Sequence, residues 1–319
     1  MVLDDMTCRD QGMVYRKNTH IVLESSRLQV AIDPENQGRI RSFKSKRTGR
    51  EYFFVDPRNE FHGPGYSDHD ISGYTECFPT VGQCDYPNGK YEGLDMGDHG
   101  CLWQEQWRTE IEADKVIMAC HLPQFECYFD RTCHLEEDDC LRLDYTITND
   151  GNEPFKCIYA AHMLLYGDAQ TRLEFPDEMS EVFVQFASNV AGVADKTWIQ
   201  WPPPGASGLN GPFSVERGSA AKLFSRKLSE GKAAIRHTDI EETLQVEFDL
   251  PHLGILISQG YDSPYEGIKS SIILGLEPTT GIGDELPTCE CTGSVLRIEP
   301  RGEMSFWIRL TLRDERARR

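Results

Sequence analysis

Long apolar runs are missing from this chain. The longest, such as Leu253–Ser258 and Ile272–Leu276, fall far short of the roughly 20 residues that cross a bilayer. Basic residues are scarce as well. Across 319 residues, 33 Lys and Arg stand against 52 Asp and Glu, a formal charge of −19. So acidic a surface repels phosphate backbones and anionic lipid, so neither nucleic acid nor membrane is expected as a partner. Heavily phosphorylated small molecules are disfavoured for the same reason. The opening residues, MVLDDMTCRDQG, are acidic and carry no apolar segment. A secretory signal is therefore not expected, and a cytoplasmic location is.

Familiar reaction signatures are absent too. CxxC, GxSxG, HExxH and the Walker loop do not occur. Gly281-Ile282-Gly283 is a lone GxG with no helix expected after it. The 11 cysteines are odd in number and read as free thiols of a reducing compartment. Cys77/Cys84, Cys120/Cys127 and Cys133/Cys140 share a spacing that matches no zinc pattern. Cys289-Glu290-Cys291, read as a strand, would put both thiols on one face. No metal and no cofactor are expected. The acidic runs Glu136–Asp139 and Glu241-Glu242 read as solvated hairpin ends.

What the chain does have is short alternating segments. Hydrophobic residues make up 39%, enough for a packed core. In Leu141–Thr148, Leu141, Leu143, Tyr145 and Ile147 fall on one face. Leu28–Ile32, Arg39–Phe43, Glu51–Val55, Phe155–Leu165, Lys222–Ser225, Thr243–Phe248, Gly254–Ser258, Ser271–Leu276 and Met304–Thr311 read similarly, with turn residues between them. That pattern predicts an all-β protein, a large β-sandwich with long loops and few short helices. No amphipathic helix of three turns is found; Glu178–Ala187 is the best helical candidate, although Val182–Phe186 within it also reads as a strand. Asp56–Gly100 and Trp201–Pro212 read as long loops, which in compact domains are often functional. No linker divides the chain, so one domain over 1–319 is expected, with 312–319 as a loose tail.

Four places could carry chemistry. Asp98-His99-Gly100 closes the long loop, with Trp103 and Trp107 following as flat apolar faces; a turn-capping histidine is the plainer alternative. His162 lies in CIYAAHMLL, beside the small Ala160 on its face; a satisfied core histidine is its alternative. Glu277 ends an apolar strand, shares a face with Gly275, and precedes Pro278. A carboxylate there is costly to desolvate unless paired, and a partly desolvated carboxylate suits a general base. A salt-bridged strand end is the alternative. Asp239, before the strand Thr243–Phe248, is by default an exposed turn residue.

Taken together and in order, these segments resemble the galactose mutarotase-like superfamily, the aldose 1-epimerases. LQVAIDPENQGRIRSFKSKRTGREYFF is similar to the family's first hairpin. GYTECFPTVG with YPNGKYEGLDMGDHGCLWQEQW resembles the segment of the first active-site histidine, which implies His99. LRLDYTITNDGNEPFKCIYAAHMLL resembles the second-histidine segment, which implies His162. HTDIEETLQVEFDLPHLGILIS resembles the aspartate segment, which implies Asp239 as a sugar ligand. LGLEPTTGIG implies Glu277 as the catalytic glutamate. Glu76 stands where many relatives carry an arginine.

The resemblance implies a mutarotase, acting on a neutral aldose as a monomer or homodimer. Glu277 would take the O1 proton and a protonated His162 would give one to O5. His99, Asp239 and Glu76 would contact sugar oxygens, and Trp103 or Trp107 would stack on the ring. Two rivals stay open. A lyase or hydrolase of oligosaccharides would need facing carboxylates, with Glu76 and Glu277 the pair to check. The other is a non-catalytic sugar-binding or regulatory protein, which the absence of either Glu277 or His162 from the pocket would favour.

Overall fold

The computed structural model describes residues 12–58, 63–203, 208–262 and 267–318. Parts of both long loops (59–62 and 204–207), most of the acidic N-terminal stretch, and Arg319 lie outside the described residues. The architecture is all-β. Eleven antiparallel strands form one sheet and eight form a second. Phe155–Cys157 pairs with Leu296–Ile298 in a small ribbon. No helix among the described residues is long and apolar enough to cross a membrane.

Alternation decides which side chains enter the sandwich. Leu141, Leu143, Tyr145 and Ile147 are all buried between the sheets, as the two-residue period predicts. In the eleven-stranded sheet, Met163, Leu165, Ile255, Ile257, Leu274 and Leu276 face the same core. Their neighbours Leu164, Ile273 and Leu256 point the other way, into a separate apolar cluster with Tyr66, Ile71 and Ile268. The larger sheet is therefore covered on both faces, and its outer face carries the candidate site described below.

Two polar knots tie the sheets together. Arg131, on the strand Cys127–Glu137, meets Glu76 at 2.6 Å, and both side chains are wholly buried. Tyr145 donates to the same carboxylate oxygen at 3.1 Å and lies 2.7 Å from the Tyr74 hydroxyl. At the other knot, Glu242 accepts from Ser45 Oγ, Thr48 Oγ1 and Tyr52 at 2.8–3.0 Å. Arg47 reaches it from the same side.

Beside this second knot, His237 is buried with its ring 5.5 Å from that of Tyr52. Burial, helped by Arg50, pushes its pKa down to about 4, although Asp168 and Asp239 pull it upward. A group depressed in the folded state contributes stability above its unfolded pKa and loses it as pH falls. His237 is thus expected to cost up to about 3 kcal/mol on acidification from about pH 6.5 toward 4. Urea midpoints across that range test this; His237→Gln should flatten the slope, and an unchanged slope would refute it.

Several expectations need correction. Glu178–Ala187 is not helical; Glu181–Ser188 is a strand, paired on both sides. The buried residues Val182 and Val184 follow its two-residue period. Glu51–Val55 makes only isolated bridges, Lys44–Glu51 and Phe53–Leu165. Cys289 and Cys291 do not share a strand face. They lie on a helix, Leu286–Thr292, which buries Cys289 and exposes Cys291. That helix also follows Gly281-Ile282-Gly283, where none was expected. The last strand, Glu303–Asp314, runs into the expected tail and buries Leu312.

Candidate functional site

Register places the central residues. Ala160 pairs with Thr279 and Leu164 with Gly275, so His162 on Ala160–Tyr166 faces Glu277 on Ile272–Thr279 directly across the ladder. On the next strand outward, Thr75 pairs with His162. On the other side, Gly254 pairs with Glu277. A row Thr75–His162–Glu277–Gly254 therefore crosses the outer face of the larger sheet. The next row along is Leu164–Gly275–Leu256–Lys222.

Two glycines shape the space around the carboxylate. A Cβ on Gly275 would sit 2.6 Å from Glu277 Oε1 and 2.8 Å from Leu256 Cβ. A Cβ on Gly254 would lie 3.3 Å from Glu277 Cβ. Without them the Glu277 side chain could not lie along the sheet. It does so to meet Lys222, whose Nζ bonds to Oε2 with both side chains buried. Burial works against the Lys222 charge, but Glu277 and Asp284 outweigh it and hold its pKa above the usual range. Glu277 Oε1 is shut off from solvent and has no hydrogen-bond partner.

His162 is held from behind. The Tyr66 hydroxyl lies 3.2 Å from its Nδ1 and 3.1 Å from Thr75 Oγ1. If Tyr66 donates to Nδ1, the neutral ring keeps its proton on Nε2. Burial first, then the neighbouring His99 and Lys222, push the His162 pKa well below the ordinary value. The ring is therefore neutral near pH 7, not the imidazolium expected from sequence.

His99 stands at right angles to it, with ring centroids 4.9 Å apart. Its other face stacks on Tyr66 at 3.8 Å. Asp98 meets its Nδ1 at 3.0 Å. His99 has φ 59°, an uncommon value for a residue with a side chain. Gly100 follows with φ 76°, and a Cβ there would sit 2.2 Å from the Phe78 carbonyl oxygen. Strained backbone of this kind concentrates at functional sites.

His99, His162, Glu277 and Lys222 line one cavity of about 190 Å³, together with Asp284. Asp284 Oδ1 is sealed and unpartnered. Burial, with Glu277 nearby and Lys222 opposing, pushes the Asp284 pKa up to about 6. Wider hollows of about 580, 470 and 960 Å³ lie elsewhere and contain none of these five residues. Among the described residues no group of three His, Cys, Asp or Glu side chains is arranged to hold a metal. The cavity offers a carboxylate oxygen ready to accept, a carboxyl group able to hold a proton, and a neutral imidazole. Those are the parts of general acid–base chemistry.

The other expected site residues lie apart from this cavity. Asp239 is exposed in the turn between Lys232–His237 and Glu242–Phe248, which belong to the eight-stranded sheet. Glu76 is one residue from Thr75 and so faces the opposite side, where Arg131 holds it. It cannot pair with Glu277 as hydrolase carboxylates would. Trp107 is buried beside Arg131, 5.3 Å from its guanidinium, and its indole donates to the Leu102 carbonyl. Trp103 donates to the Asp98 carbonyl and packs edge-on against Tyr66, one layer behind His99.

Sequence reasoning missed Lys222, Asp284 and Tyr66. Lys222 had a visible signal, a lone cation in the otherwise uncharged, fully buried SAAKLFS strand. Asp284 follows the GxG set aside as too weak.

No protein-family model matches the sequence, and no curated protein matches it. Solved structures do match the fold. The Slr1438 protein of Synechocystis superposes with TM-score 0.70 at 15% identity, over 98% of this chain and 100% of that one. A galactose mutarotase related enzyme from Lactobacillus acidophilus gives TM-score 0.66 at 15% identity, over 92% and 97%. A galactose mutarotase-like protein from Lactobacillus casei gives 0.64 at 17% identity, over 92% and 100%.

Proposed function

We propose, with the galactose mutarotase-like fold as the premise, that this cavity interconverts the α and β anomers of a small aldose. The observation that carries the reading is the pairing of His162 with Glu277 across the ladder, in the lining of a partly open cavity. At about 190 Å³ the space lies below the roughly 300–1,000 Å³ of drug-sized sites and suits a monosaccharide.

Mutarotation breaks the C1–O5 bond and re-forms it on the other face of C1. It needs a base at the O1 hydroxyl and an acid at the ring oxygen. Glu277 Oε1 takes the O1 proton, while Lys222 holds Oε2 and fixes the carboxylate. Asp284 in its acid form gives a proton to O5 as the bond breaks. Rotation about C1–C2 presents the other aldehyde face. Closure returns the first proton from Glu277 to O1 and the second from O5 to Asp284. Neutral His162, together with His99, orients sugar oxygens by hydrogen bonding. This assignment replaces the imidazolium expected for His162, because burial beside Lys222 disfavours a second positive charge.

NMR exchange on neutral aldoses tests the reading, since the wild-type protein should accelerate anomer interconversion. The rate should fall as pH rises above about 6, where Asp284 loses the proton it donates. Asp284→Asn should be slow and lack that limb. A flat profile in the wild type would reject Asp284 as the acid. No acceleration of any aldose would reject the mutarotase reading.

A further inference from the structure

Chemistry is confined to one part of the cavity. The charged and imidazole side chains among its described lining residues are His162 and Glu277 of one row, with Asp98, His99, Asp284 and, from the next row, Lys222. Another wall is different in kind. Ile71, Leu164, Ile268 and Ile273 cluster there, each no more than 2% exposed, with Leu256 packed against them. None of these five side chains has a hydrogen-bonding atom. Leu164 stands two residues along the same strand face from His162, and Ile273 follows Gly275 and Glu277 in the same way. The apolar wall is therefore the direct continuation of the catalytic row. Ser258 and Tyr261 are the polar exceptions, and Ser258 pairs with Ile273 on the Lys222 side of the floor.

A pyranose held by O1 and O5 at the row must lay other groups against that wall. Hydroxyls on C2, C3 and C4 branch directly from the ring. The substituent on C5 branches next to O5 and reaches farthest from it. In a common hexose that branch ends in a hydroxyl. Buried against the side chains of Leu164, Ile268 and Ile273, and not turned toward Ser258 or Tyr261, such a hydroxyl loses water and gains no partner from the wall. A methyl group there loses nothing and fills the space.

Resting on the mutarotase reading above, we infer that the cavity selects a 6-deoxyaldose, whose C5 methyl packs on the Ile71–Leu164–Ile268–Ile273 wall, over the hexose bearing a 6-hydroxyl. A pocket that buries one extra hydroxyl without a partner discriminates by about tenfold to a hundredfold.

The test uses matched pairs that differ only at O6: fucose with galactose, rhamnose with mannose, and 6-deoxyglucose with glucose, each in both enantiomeric series. Binding is measured by titration calorimetry, and anomer exchange by NMR. For at least one pair, the deoxy sugar should bind and exchange about tenfold or more better. Leu164→Asn and Ile268→Ser should each narrow that gap by offering the 6-hydroxyl a partner. Exchange with equal or greater preference for the hydroxymethyl sugars would overturn the inference and leave the mutarotase reading standing. Preferential binding of deoxy sugars without any exchange would support the inference and remove the catalytic reading. Binding of none of the pairs would overturn both.

Discussion

Replacing Glu277 with glutamine should slow anomer exchange by about 10²–10⁴-fold, the usual worth of a positioned proton transfer. Glutamine keeps the shape and loses the acceptor charge. The same change leaves the Lys222 ammonium buried without its partner, because Oε2 of Glu277 is its bonded neighbour in the cavity. Breaking a buried ion pair from one side costs about 3–5 kcal/mol, so the variant should also be less stable. The two effects separate in a double variant. Glu277→Gln with Lys222→Met removes both charges and should regain much of the stability while exchange stays lost. Urea denaturation reads the first quantity and NMR exchange the second. Exchange at the wild-type rate in a folded Glu277→Gln protein would end Glu277's role as base.

Arg131→Met should destabilise the sandwich by about 3–5 kcal/mol, the cost of leaving a buried carboxylate without its cation. Glu76 and Arg131 are both fully buried between the sheets, on opposite layers, and the contact is short at 2.6 Å. Burial already pushes the Glu76 carboxyl upward against the pull of Arg131 and Tyr145. Without Arg131 the carboxyl would take up a proton, and Tyr145 would be its remaining side-chain neighbour. Replacing both, Arg131→Met with Glu76→Leu, should recover most of the loss, since matched apolar residues often substitute for a buried pair. Tyr145 then still has the Tyr74 hydroxyl at 2.7 Å. Because Glu76 faces away from the cavity, exchange measured well below the unfolding temperature should be little changed. A single Arg131→Met variant as stable as the wild type would show that the pair does not lock the sheets.

How much of this could be read beforehand depends on the kind of residue. Strands with a clean two-residue period were legible, and Leu141–Thr148 is the clearest. Val182–Phe186 carried a strand signal that competed with a helical one, and pairing on both sides decided it. The helix Leu286–Thr292 was missed because its seven residues include Pro287 and two cysteines, too short for a helical period to emerge. Glu277 and His162 were legible because each shares a strand face with a small residue, Gly275 or Ala160. Asp239 was not, because a turn residue gives no sign of which sheet its hairpin joins. Glu76 failed by a single position: the side of the sheet it faces follows from register, which one chain read alone does not reveal. The neutrality of His162 depends on its burial first and then on His99 and Lys222, neither of which is near it in sequence.

The row across the cavity floor also says something about how the molecule comes into being. Thr75, His162, Glu277 and Gly254 are adjacent on the sheet yet belong to strands spread over about two hundred residues of chain. Glu277's strand lies between Ala160–Tyr166 and His252–Gln259, so the two halves of the cavity floor join only when this late segment is inserted. A chain of residues 1–269 holds both histidines and the lysine but not the Glu277 carboxylate opposite them. Such non-local pairing makes for slow folding. An assembled cavity after refolding is therefore a report on completed sheet closure, and partial chains have nothing to report.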